Sequence, residues 1–354
     1  MRVNSLELKN FRNIKSAQIS FDSNMNVISG ENAQGKTNIL ESIWLFCGAK
    51  SFRSSKDSLF LKFGEQSGST TMSFISGGTE HLAKMKFTDT RTVTLDNKTL
   101  KNPSNMAGIF NAVVFSPTDL YLVSGGPDKR RRFLDLSIGQ LYPNYIELIR
   151  GYSRAVMQRN KIIKDYKYDP SVSIMLEVFE DEIAEKGKKI IDYRKRFLER
   201  LNEFVPAIYS GLSGGKEKIM SLYVAKTDAI VLSDELKKSR KEDSILGSTS
   251  VGPHRDDIDL TLNGVSARAY GSQGQKRSVA IALKLATLNV INEISGEYPV
   301  CLLDDVLSEL DEGRQNYILN RVKDWQTFIT CCDSSNVTRL SGGKVFTVKG
   351  GEVF

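Results

Sequence analysis

The chain has 354 residues, of which 40% are hydrophobic and 26% are charged, and it carries a net charge of +7 with a pI near 9.0. This composition is typical of a soluble globular protein large enough for two lobes, and the positive charge is a modest bias toward polyanionic partners. No apolar run approaches the roughly 20 residues of a membrane span, and we find no charged-then-apolar leader, so we expect a cytoplasmic protein without a membrane partner.

The four cysteines do not form a ligand pattern. Cys47, Cys301, Cys331 and Cys332 lack the spacing of a metal site, and three of them lie in apolar, strand-like runs. We therefore predict reduced core thiols, as is usual in cytosolic proteins, and no disulfide framework.

The first residues predict the start of an α/β lobe. Residues 3–8 and 17–21 alternate apolar and polar side chains, as half-buried strands do. Residues 25–29 indicate a short buried strand, and residues 38–46 have the period of a helix.

The next segment predicts an antiparallel sheet. Between residues 58 and 100, short alternating runs are broken by the turn signals Gly77-Gly78 and Asp96-Asn97. Residues 112–115 form another short apolar run, which predicts a further strand that ends at Ser116-Pro117.

The character of the chain changes near Pro127. From there to about residue 206, glycine and proline are scarce and the period is helical. Eight apolar residues lie three, four or seven positions apart and form one stripe: Leu176, Phe179, Ile183, Ile190, Tyr193, Phe197, Leu201 and Phe204. We predict a mainly helical lobe at 127–245, inserted in a discontinuous α/β lobe of residues 1–126 and 246–354. The stripe is far too short for an extended coiled-coil arm.

Residues 30–37 fit the pattern G-x-x-x-x-G-K-[ST], the phosphate-binding loop of nucleoside triphosphatases. Its glycines let successive backbone N–H groups face the phosphates, Lys36 adds a positive charge, and the Thr37 hydroxyl suits a Mg²⁺ ligand. A strand before the loop and a helix after it would place a helix N-terminus against the anion. The predicted nucleotide-binding residues are Gly30, Glu31, Asn32, Ala33, Gln34, Gly35, Lys36, Thr37 and Asn38.

A second run predicts the other half of the site. Residues 299–305 form an apolar strand that ends in two acids, Asp304 and Asp305. A buried parallel strand would deliver Asp304 to the sheet edge as a Mg²⁺ ligand, and Asp305 would orient or deprotonate the attacking water. The catalytic pair is then Lys36 and Asp305. The plainer alternative is a helix N-cap, since Ser308-Glu309-Leu310-Asp311 follows.

The positive charge is concentrated between residues 129 and 167, where ten bases face three acids. Such a run is often just a solvated helix face, but it also suits nucleic acid. The candidate DNA contacts are Arg130, Arg131, Arg132, Arg154, Arg159 and Lys161. The alternative left open is that some of them hold the helical lobe together through ion pairs.

The class of nucleotide-binding protein follows from a third motif. No Asn-Lys-x-Asp guanine-reading motif is present, so we expect ATP. Residues 272–277 lie directly ahead of a predicted helix and resemble the signature motif of ABC-type ATPases, in which residues corresponding to Ser272, Gly274 and Gln275 clamp the γ-phosphate held by the other subunit. Residues 212–216 and 340–344 look closer to the usual wording, but neither precedes a helix, and we interpret both as turns.

With these pieces placed, the whole chain resembles the RecF family of bacterial recombination mediators. The most specific feature is the order of Gly252-Pro253-His254-Arg255-Asp256-Asp257, then residues 271–275, then residues 304–311. The motifs that carry the resemblance are residues 8–13, 30–41, 50–53, 115–120, 131–135, 158–160, 251–257, 271–277 and 304–311.

The resemblance implies an α/β fold: an ABC-type P-loop ATPase head with a mixed sheet, an antiparallel β part, an inserted mainly helical lobe and no long coiled coil. It implies ATP and Mg²⁺ as cofactors, adds Arg12 to the ATP-binding residues, and suggests an ATP-dependent homodimer. The implied partners are DNA, as duplex, single strand or their junctions, and RecO and RecR, with which the family loads RecA on gapped DNA.

Two departures from the broader ABC pattern favour slow hydrolysis. Asp305 replaces the usual glutamate and is one methylene shorter, and Cys332 lies near the place where a histidine is expected. Three alternatives remain. The chain is an enzyme that acts through its reaction product, a switch that acts as a DNA-bound dimer, or the ATPase subunit of a transporter. A nucleotide shared between two chains favours the switch.

Overall fold

The computed structural model describes residues 1–53, 57–333 and 343–354. The chain divides into two compact units. The first consists of Met1–Asp119, Ala207–Gly215 and Ala280–Phe354, and the second of Leu120–Pro206 and Lys216–Val279.

The described residues form strands and α-helices with the following bounds. The strands are β1 (Arg2–Phe11), β2 (Ile14–Ser20), β3 (Met25–Ser29), β4 (Gly68–Ser76), β5 (Thr79–Phe87), β6 (Arg91–Leu95), β7 (Lys98–Thr99), β8 (Ala112–Phe115), β9 (Ile219–Val224), β10 (Asp257–Leu262), β11 (Val265–Ser266), β12 (Val300–Asp304), β13 (Thr327–Cys331), β14 (Lys344–Lys349) and β15 (Glu352–Val353). The α-helices are α1 (Lys36–Leu45), α2 (Leu120–Ser124), α3 (Pro127–Leu141), α4 (Pro143–Ile162), α5 (Ser173–Ser213), α6 (Leu232–Lys238), α7 (Arg240–Leu246), α8 (Ala267–Tyr270), α9 (Gln273–Ser295) and α10 (Glu312–Val322).

The first unit contains the predicted antiparallel sheet, with strand order β2-β1-β4-β5-β6-β7. Alternation along the strands sets which face is buried: Leu6 lies opposite Ile19 on one neighbour and Met72 on the other, and all three are buried. Gly77 and Gly78 make the β4–β5 turn with positive φ angles, as the sequence indicated.

A second sheet in the first unit has the order β15-β14-β3-β13-β12-β8 and is parallel except for β15. Every residue of β3, β12 and β13 is buried, which explains why these strands are mainly apolar and do not alternate apolar and polar side chains. Ser29 pairs with Cys331, and Asp304 pairs with Thr330. The carboxyl ends of β3, β13 and β12 therefore meet at one edge, where the two predicted halves of the site follow their strands.

The second unit contains α2–α4, most of α5, α6–α8 and the start of α9, together with a three-stranded sheet of order β11-β10-β9. Helix α3 begins at Pro127, where the sequence predicted the change of character. Most of the predicted stripe on α5 is buried, including Leu176, Ile183 and Ile190, so the stripe is a packing face.

The observed division differs from the predicted bounds of the helical lobe. Residues 120–126 and 246–279 belong to the second unit, in which β10 pairs along its length with β9 and leads on to α8. Residues 207–215 belong to the first unit, where a Cβ added to Gly211 would lie 2.1 Å from the Tyr317 ring on α10. The predicted lobe of 127–245 is corrected accordingly to 120–206 and 216–279.

Helix α9 qualifies, by length and composition, as a candidate membrane span among the described residues. This differs from the sequence-based expectation that no apolar run approaches that length. Of its most apolar stretch, 72% is buried inside the structure, as in the core helix of a soluble protein.

Candidate nucleotide-binding site

The phosphate loop connects β3 to α1 as predicted. Gly30 and Gly35 have φ angles of +152° and +120°, which L side chains rarely adopt. A Cβ on Gly35 would also lie 2.7 Å from Oδ1 of Asn13. The loop therefore needs glycine at both ends, and α1 starts at Lys36 with its N-terminus at the loop.

Lys36 is folded back over the loop. Its Nζ donates to the carbonyl oxygen of Gly30 and, at 3.0 Å, to that of Glu31. It also lies 3.7 Å from Sγ of Cys332, whose thiol donates to Oδ1 of Asn32 at 3.3 Å. The lysine charge is thus held at the loop by neutral oxygen and sulfur atoms, where phosphate oxygens are stronger partners.

The end of β12 meets the loop at Asp304. The hydroxyls of Thr37 and Thr330 donate to the same carboxylate oxygen, Oδ1, at 2.8 and 2.9 Å. The side chain of Asp304 is buried, with only 6% exposed, and burial raises its pKa. A buried carboxylate whose hydrogen-bond partners are neutral hydroxyls is short of positive charge.

This arrangement fits Mg²⁺. The described residues contain no group of three His, Cys, Asp or Glu side chains able to hold a metal by themselves. Asp304 and Thr37 offer one carboxylate and one hydroxyl, which is the small protein share that Mg²⁺ takes when nucleotide phosphates and waters complete its octahedron. Positive charge beside Asp304 would also offset the cost of burying it.

Asp305 adopts a different geometry from Asp304. Its φ of +54° lies in the left-handed region, and its N–H donates to Oγ1 of Thr330 at 2.9 Å. Its side chain is half-buried, and the Ser308 hydroxyl donates to its carbonyl oxygen at 2.9 Å. Thr330 therefore contacts both acids, a link that no local sequence pattern indicated.

The positive charge of Arg12 is paired with a carboxylate on α1. Its guanidinium donates through Nε and Nη2 to the fully buried carboxylate of Glu41, at 2.8 and 2.7 Å. The Ser51 hydroxyl donates to the same carboxylate, and Arg53 lies 4.0 Å from it. The structure thus pairs Arg12 with Glu41 on α1, the helix that follows the loop, and Glu41 orients the guanidinium.

Asn13 braces the loop from the other side. Its Nδ2 donates to the carbonyl oxygen of Gln34 at 2.8 Å, and its Oδ1 accepts from Nδ2 of Asn38 at 2.7 Å. The Gly350 and Gly351 N–H groups bind Oε1 and the carbonyl oxygen of Gln34, at 2.6 and 3.1 Å. Sequence reasoning missed these supports because the partners lie far away along the chain.

Ser272, Gly274 and Gln275 lie in the second unit, at the start of α9. The predicted helix N-terminus is therefore present. Among the stretches interpreted as turns, Gly214 and Gly215 follow the end of α5 with positive φ angles, whereas residues 340–342 lie outside the described residues.

Two of the predicted DNA contacts are corrected. Arg130 is 3% exposed and forms a paired contact with the carboxylate of Asp257, at 2.6 and 2.9 Å. Arg159 is fully buried and binds Glu180, Asp243 and Thr249. Both guanidiniums hold the second unit together, the alternative that the sequence left open.

The remaining candidates differ in exposure. Arg131 is half-buried and donates to the carbonyl oxygen of Asp256 at 2.6 Å, and burial lowers its pKa. Arg132, Arg154 and Lys161 are exposed. They remain predicted contacts.

Comparison with known proteins identifies the family. A family profile described as the RecF/RecN/SMC N terminal domain matches residues 2–349. The chain is 41% identical to the "DNA replication and repair protein RecF" of Agathobacter rectalis and 38% identical to that of Lachnospira eligens, covering 100% of this chain and 99% of each relative.

Solved structures agree. The "recombination mediator protein RecF-ATP in RecFOR pathway" is 34% identical with a TM-score of 0.92, over 100% of this chain and 97% of that chain. The Smc head domain of Pyrococcus furiosus, at 16% identity and a TM-score of 0.59 over 99% of this chain and 95% of that one, shares the fold. The predicted α/β ATPase-head fold and the resemblance are confirmed, and the chain belongs to the RecF family of SMC-like ATPase heads.

Proposed function

We propose that this chain is an ATP-dependent DNA-binding clamp of recombinational repair. The observation that carries the proposal is the Thr37–Asp304 contact of 2.8 Å, which joins the phosphate loop to the acidic strand. Full-length likeness to a RecF described with ATP in the RecFOR pathway supports it. ATP binding switches the chain into a DNA-bound dimer, and slow hydrolysis resets it.

The residues of the first unit divide the nucleotide chemistry among them. The loop N–H groups, Lys36 and Arg12 hold the phosphates, and Thr37 and Asp304 hold Mg²⁺, which would neutralise phosphate charge when bound. Asp305 orients the attacking water and accepts its proton. The short side chain of Asp305 and the Cys332 thiol beside Lys36 suit slow ATP hydrolysis. Slow hydrolysis is what a nucleotide-dependent switch requires.

Dimerisation follows from the signature residues. A nucleotide held by one chain is completed by Ser272, Gly274 and Gln275 of a second, so ATP acts as a ligand of the dimer and stabilises it. Each chain contributes both halves in a two-fold arrangement, and two DNA-binding surfaces then act on one DNA molecule.

The DNA surface that the structure favours is one face of α4. Arg150, Arg154 and Lys161 are exposed on α4 and recur four and seven residues apart, so they line one helical face about 17 Å long, and the exposed Lys164 follows the end of the helix. None of the four forms an ion pair with any residue in the described part of the chain. Exposed positive charges without acidic partners are suited to phosphates on duplex or single-stranded DNA.

The same family likeness supports the rest of the assignment. We infer that RecO and RecR are the protein partners, that the clamp acts at gaps or duplex/single-strand junctions where RecA is loaded, and that the chain works in the cytoplasm without a membrane partner. A transporter ATPase subunit is the weaker alternative, because the described face of α4 suits a polyanion.

Size-exclusion chromatography with light scattering, with and without ATP, tests the clamp. The parent should dimerise with ATP, Ser272→Arg should bind ATP and stay monomeric, and Asp305→Asn should accumulate the dimer without turnover. DNA binding measured against salt should show a steeper slope for the dimer. Equal affinities and slopes for the parent and Ser272→Arg, with ATP and with ADP, would rule out the clamp, and parental turnover by Asp305→Asn would remove its catalytic role.

A further inference from the structure

Three hydrogen bonds in the second unit hold the start of α9. The N–H of Ser272 donates to Oε1 of Gln275 at 2.7 Å, and the N–H of Gln275 donates to Oγ of Ser272 at 3.2 Å. This is a reciprocal capping box. A third bond runs from Nε2 of Gln275 to a carboxylate oxygen of Glu217, a residue 58 positions away along the chain.

The carboxylate decides which way the Gln275 amide points. An amide has one donor end and one acceptor end, whereas a carboxylate only accepts. Glu217 therefore binds the NH₂ end and turns Oε1 toward the N–H of Ser272. Without Glu217, only the bond from the N–H of Ser272 would favour one orientation of the amide, because the torsion next to an sp² group is broad.

The orientation of Ser272 depends on this amide. With its Oγ accepting from the N–H of Gln275, the serine hydroxyl keeps its own hydrogen for another acceptor. A phosphate oxygen is such an acceptor, and the exposed position of Ser272 allows a second chain to present one.

We propose that Glu217 is a positioning residue for the signature motif: it orients Gln275, and Gln275 holds Ser272 ready for the γ-phosphate of the partner chain. The proposal rests on the proposed function, since it requires the nucleotide to be shared between two chains. The expected effect of Glu217 is on dimer formation rather than on ATP binding by one chain.

The first experiment measures the ATP concentration that gives half-maximal dimerisation. Glu217→Ala removes the acceptor and should raise that concentration about tenfold to 100-fold, the effect of one charge-assisted hydrogen bond. Glu217→Gln offers Gln275 either an acceptor or a donor, so it should raise that concentration less than Glu217→Ala does but not match the parent. The matched control is Glu235→Ala, which breaks an exposed ion pair with Lys238 in the same unit. Nucleotide affinity is measured in the Ser272→Arg background, where no dimer forms, and should be the same with and without Glu217→Ala.

A double-variant cycle tests whether Glu217 acts through Gln275. Gln275→Ala alone should raise the ATP requirement, and Glu217→Ala added to it should change nothing more. Additive losses would overturn the relay. A second pair avoids truncation: Gln275→Glu sets two carboxylates face to face, and Glu217→Gln in that background restores a donor and should recover dimerisation. Failure of this rescue would also contradict the proposal.

The outcomes separate the two proposals. If Ser272→Arg still dimerises with ATP, the clamp itself is wrong. If Ser272→Arg is monomeric while Glu217→Ala dimerises like the parent, the clamp stands and Glu217 has no positioning role.

Discussion

Buried charges at the nucleotide site of the first unit have different partners from the buried Arg159 of the second unit. In the first, Asp304 is buried against the hydroxyls of Thr37 and Thr330, and Lys36 rests on backbone carbonyl oxygens. In the second, Arg159 is buried against two carboxylates, a hydroxyl and the carbonyl oxygen of Leu236. A buried charge with a complete set of charged partners is part of the scaffold, whereas one held by neutral groups marks a place where a charged ligand belongs.

The same distinction separates arginines that are near neighbours in sequence. Arg130 and Arg132 belong to one basic run, yet Arg130 is buried on Asp257 and Arg132 is exposed. Composition counts them equally. Only the tertiary structure shows that the first of these charges is buried in an ion pair while the second is exposed.

The largest expected effect is a loss of stability when a buried arginine of the second unit is replaced. Arg159→Met leaves Asp243 buried without its cation and Glu180 paired only with Arg240, so we expect the free energy of unfolding to fall by about 3–5 kcal/mol. Urea denaturation measures it. The control, Arg154→Met on the exposed face of the same helix, should stay within about 0.5 kcal/mol of the parent. Similar losses for both variants would contradict the distinction between scaffold and surface.

Lys36→Met should separate binding from stability in the first unit. The lysine charge is available to phosphate, so its loss should weaken ATP binding about 100-fold with little effect on unfolding. Nucleotide titration by calorimetry measures the affinity. Lys15→Met, at an exposed position on β2, is the control and should bind ATP like the parent. Parental affinity in Lys36→Met would show that the loop does not use this charge.

His254 should make the second unit sensitive to acid. Burial lowers its pKa from 6.5 to about 4, and Tyr152 and Thr249 hold the neutral ring at 2.6 and 3.0 Å. The charged groups acting on it are Arg255 and Arg131, which disfavour the cation, and Asp243, which favours it. Because the folded state binds the proton less tightly than the unfolded chain, the contribution is fully present above pH 6.5 and is lost as the pH falls toward 4.

Urea unfolding from pH 7.5 to pH 5 measures this contribution. The parent should lose about 2 kcal/mol more than His254→Gln over that range, since one pKa unit corresponds to about 1.4 kcal/mol. The difference between the two proteins removes the titration of other groups. Parallel profiles would mean that His254 is charged or solvated in the folded chain.

The smallest effects for single side chains belong to the exposed face of α4, where salt screens each charge. Arg154→Gln with Lys161→Gln should reduce the log–log salt slope of DNA binding by about 0.9 for each phosphate that is no longer neutralised, without changing stability. Lys188→Gln with Lys195→Gln on α5 removes the same charge and is the matched control. If both pairs reduce the slope equally, net charge rather than this face attracts DNA.

The features that were predicted correctly from sequence depend on short segments of the chain. The loop at 30–37, the apolar strands at 25–29 and 300–304, the turn at Gly77-Gly78 and the helix after Ser272 all came out as predicted. Each depends on residues within a few positions of one another, where glycine geometry and hydrophobic period act directly.

The side-chain contacts between residues far apart in sequence became clear only from the tertiary structure. Thr330 joins Asp304 across neighbouring strands, Asn13 reaches Gln34, and Glu217 reaches Gln275, each through chain folding that no short motif encodes. The tertiary structure also removed Arg130 and Arg159 from the predicted DNA contacts, because both are buried. The bounds of the second unit differ from the predicted helical lobe because β10 pairs with β9. Hydrogen bonding and burial depend on which distant segments meet, and that is settled only when the core packs.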